Sequence, residues 1–149
     1  MKALGCVIML ALFLPIGAAA QTDDTWPSLN YLRGDYKSVR VVAHVRIRQA
    51  DIVNRIPGYD NWKIAADVIE AFKGKFRKGE VIEYFQGVEQ PSRKEFFTGE
   101  KIVFLLGEYD KASKAFRYSV LENSTLASGP NRLKKLRIIR NSFARRRRR

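Results

Sequence analysis

Alternating apolar segments separated by turn residues predict a mainly β protein: a small closed barrel of five strands, with a short N-terminal and a basic C-terminal helical segment. Three observations carry that expectation. From Val39 to Ile47 apolar residues recur at every second position, the period of a half-buried strand. Four more short segments rich in Val, Ile, Phe and Tyr follow, each bounded by Gly, Pro or charged turns. A chain of 149 residues, 46% of them hydrophobic, is sized for one domain with one packed core.

Met1-Lys2 sets a positive charge ahead of an apolar run from Ala3 to Ile16, and Gly17 to Ala20 supply the small residues that a signal peptidase accepts. A transmembrane anchor is the competing reading, but the run is shorter than the roughly 20 residues a bilayer needs, and Pro15 closes it. The expected organisation is a signal peptide over 1–20, cleaved near Ala20-Gln21, then a lead-in over 21–37, a barrel domain over 38–130, and a basic amphipathic helix with an arginine tail over 131–149. The product is expected to be exported, periplasmic or secreted. The one cysteine, Cys6, would leave with the signal, so the mature domain must hold its fold without a disulfide.

In the lead-in, Asp23 to Pro27 offer a helix start and Gly34 a stop, which gives one short helix or an irregular segment. The first strand then opposes Val39, Val41, Ala43, Val45 and Ile47 to Arg40, Val42, His44, Arg46 and Arg48, an apolar face backed by a largely basic one. Asn54 to Asp60, with Pro57-Gly58 inside it, reads as a loop. Trp62 to Phe72 follows as the second strand, with Trp62, Ile64, Ala66 and Val68 on one face; a helix competes there because Ala and Glu favour it. Lys73 to Gly79 is a glycine-bounded basic turn, and Glu80 to Gln86 the third strand. Gly87 to Gly99 is a long exposed connection. Ile102 to Leu106 is an unbroken apolar run, as expected of a strand buried on both faces. Phe116, Tyr118 and Val120 mark the fifth strand. Beyond Pro130, Leu133, Leu136, Ile139 and Phe143 recur at helical spacing among basic residues, and such a helix either packs on the barrel or lies in a lipid interface.

Charge is distributed unevenly. The chain has 28 Lys and Arg against 15 Asp and Glu. Ten of the basic residues and none of the acidic ones lie between Asn131 and Arg149, so the barrel region is close to neutral. A basic, aromatic-lined nucleic-acid groove is therefore not expected in the body of the domain, and no specific nucleic-acid site is expected. Arg145, Arg146, Arg147, Arg148 and Arg149 form the expected polyanion-binding element, which anionic lipid, lipopolysaccharide or polysaccharide would satisfy.

Catalytic and metal signatures are missing from the sequence. One histidine and one cysteine exclude a Cys/His zinc site built from this chain alone. His44 is expected to be a solvated strand residue. Asp51, Asp60, Asp67, Glu70 and Glu83 are expected to be surface charge, and a hydrolase using Glu70 or Asp67 is a third-ranked reading. No cofactor and no metal are expected. Asn123-Ser124-Thr125 has the glycosylation-acceptor pattern. Trp62, Tyr84 and Phe85 fall at strand positions and belong to the core. Phe96-Phe97, inside the polar connection, are instead the expected apolar partner contacts, and Arg46 and Arg48, on the exposed strand face, are expected partner contacts as well.

Five such strands suggest a closed barrel, because closure removes the exposed edges of an open sheet; an OB-type barrel fits best and an open β-sandwich is the second choice. The order of three segments resembles the netrin-like, or TIMP-like, modules. They are the opening strand Val41 to Arg48, Val68-Ile69-Glu70-Ala71-Phe72-Lys73-Gly74, and Gly99-Glu100-Lys101-Ile102-Val103-Phe104-Leu105. The resemblance spans about Ser38 to Val120 and implies an OB-type barrel in an extracytoplasmic interaction module. The metalloproteinase inhibitors of that family grip zinc through an N-terminal cysteine, whereas a chain matured at Gln21 begins Gln21-Thr22-Asp23, so that chemistry is not implied. The function expected from the sequence is thus an exported, non-enzymatic binding domain whose partner is a protein or an envelope component. Association with anionic lipid or lipopolysaccharide through the basic C-terminus is the alternative.

Overall fold

The computed structural model describes residues 27–146 and Arg148, apart from the side chains at 122 and 123. The signal segment with Cys6, residues 21–26 of the lead-in, the acceptor side chain at 123, Arg147 and Arg149 lie outside the described residues. The elements run α1 (Leu29–Ser38), β1 (Val41–Ile56), β2 (Tyr59–Lys73), β3 (Val81–Glu89), a single 3-10 turn (Lys94–Phe96), β4 (Glu100–Asp110), β5 (Ala115–Ala127) and α2 (Pro130–Arg146). The strands close in the order β1-β2-β3-β5-β4. All pairs are antiparallel except β3 with β5, which meet in parallel at Phe85 and Ser119. The fold is the expected five-stranded, OB-like closed barrel with two flanking helices.

The β1–β2 hairpin is longer than the sequence suggests. In place of a loop from Asn54 to Asp60, pairing continues to Ile56 opposite Tyr59, and only Pro57-Gly58 form the turn. Gly58 has φ 85°, the conformation that the third position of a proline-initiated turn requires and that glycine adopts without strain. Four register shifts along the hairpin let these long strands bend around the barrel. One of them falls between Ile47 and Gln49, and it explains why inward-facing positions are odd up to Val45 but include Ala50 afterwards.

Two apolar layers result. Inside the barrel lie Val41, Ala43, Val45, Ile64, Tyr84 and Leu105, among others. On the outside of one wall, Leu32 and Tyr36 of α1 and Leu136 and Ile139 of α2 pack on Val42, Phe72, Ile102 and Phe104. Ile102 to Leu105 are all fully buried because their side chains alternate between the two layers, the physical origin of the unbroken apolar run. The outer layer also corrects the reading of β1. Its second face is basic only at Arg40, Arg46 and Arg48; Val42 and His44 are buried, and His44 Nε2 lies 3.0 Å from Glu100 Oε2.

Local chemistry fixes the helices. Ser28, not an aspartate further upstream, is the N-cap of α1, its Oγ accepting from Tyr31 N–H at 3.2 Å. Gly34 does not stop α1. It sits on an exposed face in mid-helix with Leu32 and Tyr36 buried around it. The α2 stripe packs on the barrel, as one of its two sequence alternatives had it. Arg137 Nη2 and Arg140 Nη1 bond the Glu70 carboxylate of β2 at 2.7 and 3.1 Å, and Tyr36 stacks on Phe143 with ring centroids 5.2 Å apart. The hydrogen bond from Arg137 holds the Glu70 carboxyl below its usual range. Among the described residues no helix is long and apolar enough to cross a membrane.

Two stability outcomes follow from this packing. Gly34→Ala places a methyl in open space on a helix interior, so it should raise stability by about 0.5–1 kcal/mol in urea unfolding. Leu136→Ala removes a fully buried side chain from the outer layer and should cost about 2–5 kcal/mol in the same measurement.

Candidate anion-binding cleft

Antiparallel hairpin geometry sets the start of β1 beside the end of β2, with Val42 opposite Lys73. At this end of the barrel the C-terminal ends of α1 and α2 also arrive, and between them opens a cleft of about 1180 Å³. Six cations line it: Lys37, Arg40, Lys73, Lys75, Arg140 and Arg148. Its rings are Tyr36, Phe72, Phe116, Tyr118 and Phe143, and no Asp or Glu lines it among the described residues.

The six cations are held in different ways. Lys73 Nζ donates to the Tyr36 and Lys37 carbonyls at 2.7 and 3.3 Å, closing the open C-terminal end of α1. Arg140 is shared with Glu70 and lies over the Phe72 ring at 5.6 Å. Arg40 follows the helix end; its backbone N–H bonds the Leu105 carbonyl at 2.9 Å, and its guanidinium carbon sits 4.1 Å above the Phe116 ring. Lys37, Arg40, Lys75 and Arg148 make no ion pair with any described carboxylate. Two glycines make the close approach possible. Gly74, at φ 105°, faces Val41 so closely that a Cβ would stand 3.1 Å from its Cγ2, and a Cβ on Gly107 would stand 2.6 Å from Arg40 Cδ.

The cleft is a concentration of positive charge that the near-neutral body does not reveal: Lys37, Arg40, Lys73 and Lys75 come from the body, Arg140 and Arg148 from the tail. They come from α1, the link before β1, the end of β2 and the turn after it, and the C-terminal part of α2 and beyond, and the near-zero charge of the barrel region conceals the first four because its acidic residues lie elsewhere. Lys73 and Lys75 were legible only as a basic turn, and Arg140 only as part of the tail. The missing signal is spatial: each basic segment lies at an element end, and the hairpin and two helices bring those ends together.

The residues expected to contact a partner fare differently. Phe96 is exposed, at 54%. Phe97 is not: it is 7% exposed and packs on Trp62 with ring centroids 4.6 Å apart, because the 3-10 turn points its ring into the mouth of the barrel. Arg46 and Arg48 are exposed, but each is engaged, Arg46 with Glu100 at 2.7 Å and Arg48 with Asp67 at 2.6 Å. Arg46's hydrogen bond holds the Glu100 carboxyl below its usual range. Neither arginine lies in the cleft. Of the tail, Arg145 and Arg146 form the last turn of α2 and are exposed, and Arg148 lines the cleft.

Asp60, expected at the surface, is buried. Ser92 Oγ and Gln90 Nε2 donate to its carboxylate, Trp62 Nε1 donates to Ser92 Oγ at 2.9 Å, and Arg55 approaches from outside at 3.4 Å. The Ser92 hydrogen bond, then that of Gln90, keeps the Asp60 carboxyl below the ordinary aspartate range. This chain of bonds pins the β3–β4 connection to β2, which is why that connection carries Phe97 inward. Among the described residues no cluster of His, Cys, Asp and Glu could hold a metal ion.

No protein-family model matches the chain, and no curated protein matches it in sequence.

Phe97→Ala should destabilise by about 3–5 kcal/mol in urea unfolding while Phe96→Ala stays within about 0.5 kcal/mol. Because Asp60 titrates lower in the folded chain than in the unfolded one, its contribution is complete above the unfolded value and is lost as pH falls through the folded one. Thermal midpoints of Asp60→Asn should therefore fall less steeply than those of the wild type below about pH 4.

Proposed function

We propose that the chain is an exported, non-enzymatic binding module of netrin/TIMP-like type that holds an anionic partner in the basic cleft. The observation that carries this reading is the cleft itself: six cations and no carboxylate among its described lining residues, with four of the cations free of any described ion pair. A concentration of uncompensated positive charge in a concave site raises local anion concentration and is costly to maintain without a counter-charge. The OB-like barrel and its segment order support the netrin/TIMP-like assignment, and the apolar run ahead of Gly17 supports export. The partner is an acidic envelope component or the acidic surface of a protein.

A second reading, docking on anionic lipid or lipopolysaccharide, is favoured by one feature. Arg145, Arg146 and Arg148 lie at the same end of the molecule as the cleft, so tail and cleft present one positive field.

Binding of a fluorescent anionic polymer such as dextran sulfate should weaken linearly on a log–log plot against salt. The double variant Lys37→Glu/Lys75→Glu should lose about tenfold or more at fixed salt. The variant Arg145→Gln/Arg146→Gln, which leaves the cleft lining intact, should lose less than the lysine double variant if the cleft is the seat, and more if the tail is. Binding that ignores both salt and the cleft substitutions would remove the cleft reading. For export, mass spectrometry of the native product should find a chain starting at Gln21 outside the cytosol; an intact Met1 form inside the cell would overturn that part.

A further inference from the structure

The cleft also carries information about which anion it takes. Arg40, like Lys73 and Arg140, is held before any ligand arrives, but unlike them its side chain makes no hydrogen bond or ion pair with a described residue. Its backbone is bonded to Leu105, its stem lies across Gly107, and its guanidinium rests on Phe116. A planar guanidinium held in place presents a fork that matches two oxygens of one phosphate, and the ordering cost of that contact is already met by the fold. Lys37 of α1, Lys73 of β2, Lys75 of the turn after it, Arg140 of α2 and Arg148 beyond α2 line the same cleft as further charges.

The aromatic residues narrow the choice. Tyr36, Phe72 and Tyr118 are 5%, 3% and 7% exposed. Phe116 lies beneath Arg40 and in edge contact with Tyr109, and Phe143 spends a face on Tyr36. Successive bases, or sugar rings, find no run of open ring faces here, so the stacking that binds single-stranded nucleic acid is withheld. At about 1180 Å³ the cleft exceeds the usual range of roughly 300–1,000 Å³ for a small-molecule pocket, more space than one phosphate fills.

We infer that the cleft, anchored on Arg40, is a seat for linear polyphosphate: a slim chain of phosphates without bases or sugars. The inference rests on the anion-binding reading above and adds the chemical class of the ligand. The chain's terminal or internal phosphate takes the Arg40 fork, and neighbouring phosphates run between Lys37 and Lys75 on one side and Arg140 and Arg148 on the other.

The test compares the full chain's affinity for linear inorganic polyphosphate, oligodeoxythymidine, dextran sulfate and anionic phospholipid vesicles, at matched total charge and fixed salt. Polyphosphate should bind about tenfold or more tightly than any of the other three. Arg40→Lys keeps the charge but loses the fork, and should remove most of that preference by weakening polyphosphate more than it weakens dextran sulfate. Gly107→Ala should act in the same direction by pushing Arg40 off Phe116. Thermal midpoints establish that both variants are folded, and Lys75→Gln serves as a third variant remote from the Gly107 contact. Equal or tighter binding of the oligonucleotide, the sulfated polymer or the vesicles would overturn the inference, as would an Arg40→Lys variant that keeps the preference. If all four probes bind alike and the cleft substitutions weaken them equally, the general anion-binding reading stands and the polyphosphate inference falls. If no probe responds to cleft substitutions, both fall.

Discussion

One wall of the barrel is buried on both faces, and the rest of the architecture depends on it. Val41 to Val45 of β1 and Ile102 to Leu105 of β4 supply side chains alternately to the barrel interior and to the layer beneath the two helices. Burying a Val, Leu, Ile or Phe side chain contributes on the order of 1.5–3 kcal/mol, so this wall concentrates much of the stabilisation of a domain without a described disulfide. It also dictates where the helices go. The outward apolar surface centred on β1 and β4, joined by Phe72 of β2 and Leu126 of β5, is what α1 and α2 cover. Their C-terminal ends then converge where β1 begins and β2 ends, which is where the cleft lies.

Ion pairs sort the remaining charges. Glu70 draws Arg137 and Arg140 onto β2 and so sets the angle of α2 across the barrel. Glu100 and Asp67 engage Arg46 and Arg48 on the outer face of β1. Exposed pairs of this kind contribute little to stability, typically about 0–1 kcal/mol. Their larger effect is on the electrostatic map, because they neutralise arginines that would otherwise make the barrel flank basic. The β1 flank is thereby neutralised, while the cleft keeps Lys37, Arg40, Lys75 and Arg148 unpaired with any described carboxylate.

Much of the barrel was legible in the sequence, because period-two alternation depends only on which face is buried. Val39 to Ile47, Trp62 to Val68 and Ile102 to Leu106 each announced a strand, and the helical spacing of Leu133, Leu136, Ile139 and Phe143 announced α2. What escaped depends on contacts between distant segments. His44 and Asp60 read as surface residues because local pattern carries no information on whether Glu100 or Ser92 will stand beside them. Phe97 read as exposed because its neighbours are polar, yet the 3-10 turn and the Asp60 network deliver it to Trp62. Gly34 carried a stop signal that packing of Leu32 and Tyr36 overrode. The cleft was hidden most fully, since charge counted along the chain averages away what the fold gathers.

The convergence of two helix C-terminal ends on the cleft has an electrostatic consequence of its own. Aligned peptide dipoles leave roughly half a negative charge at such an end, so α1 and α2 together direct about one unit of negative potential toward the place where an anion would sit. Part of the lysine and arginine there is spent offsetting the backbone itself, and Lys73, bonded to the last carbonyls of α1, does so most directly. An uncharged replacement at Lys73 would therefore do double damage, loosening the first helix and turning its terminus into a repulsive element.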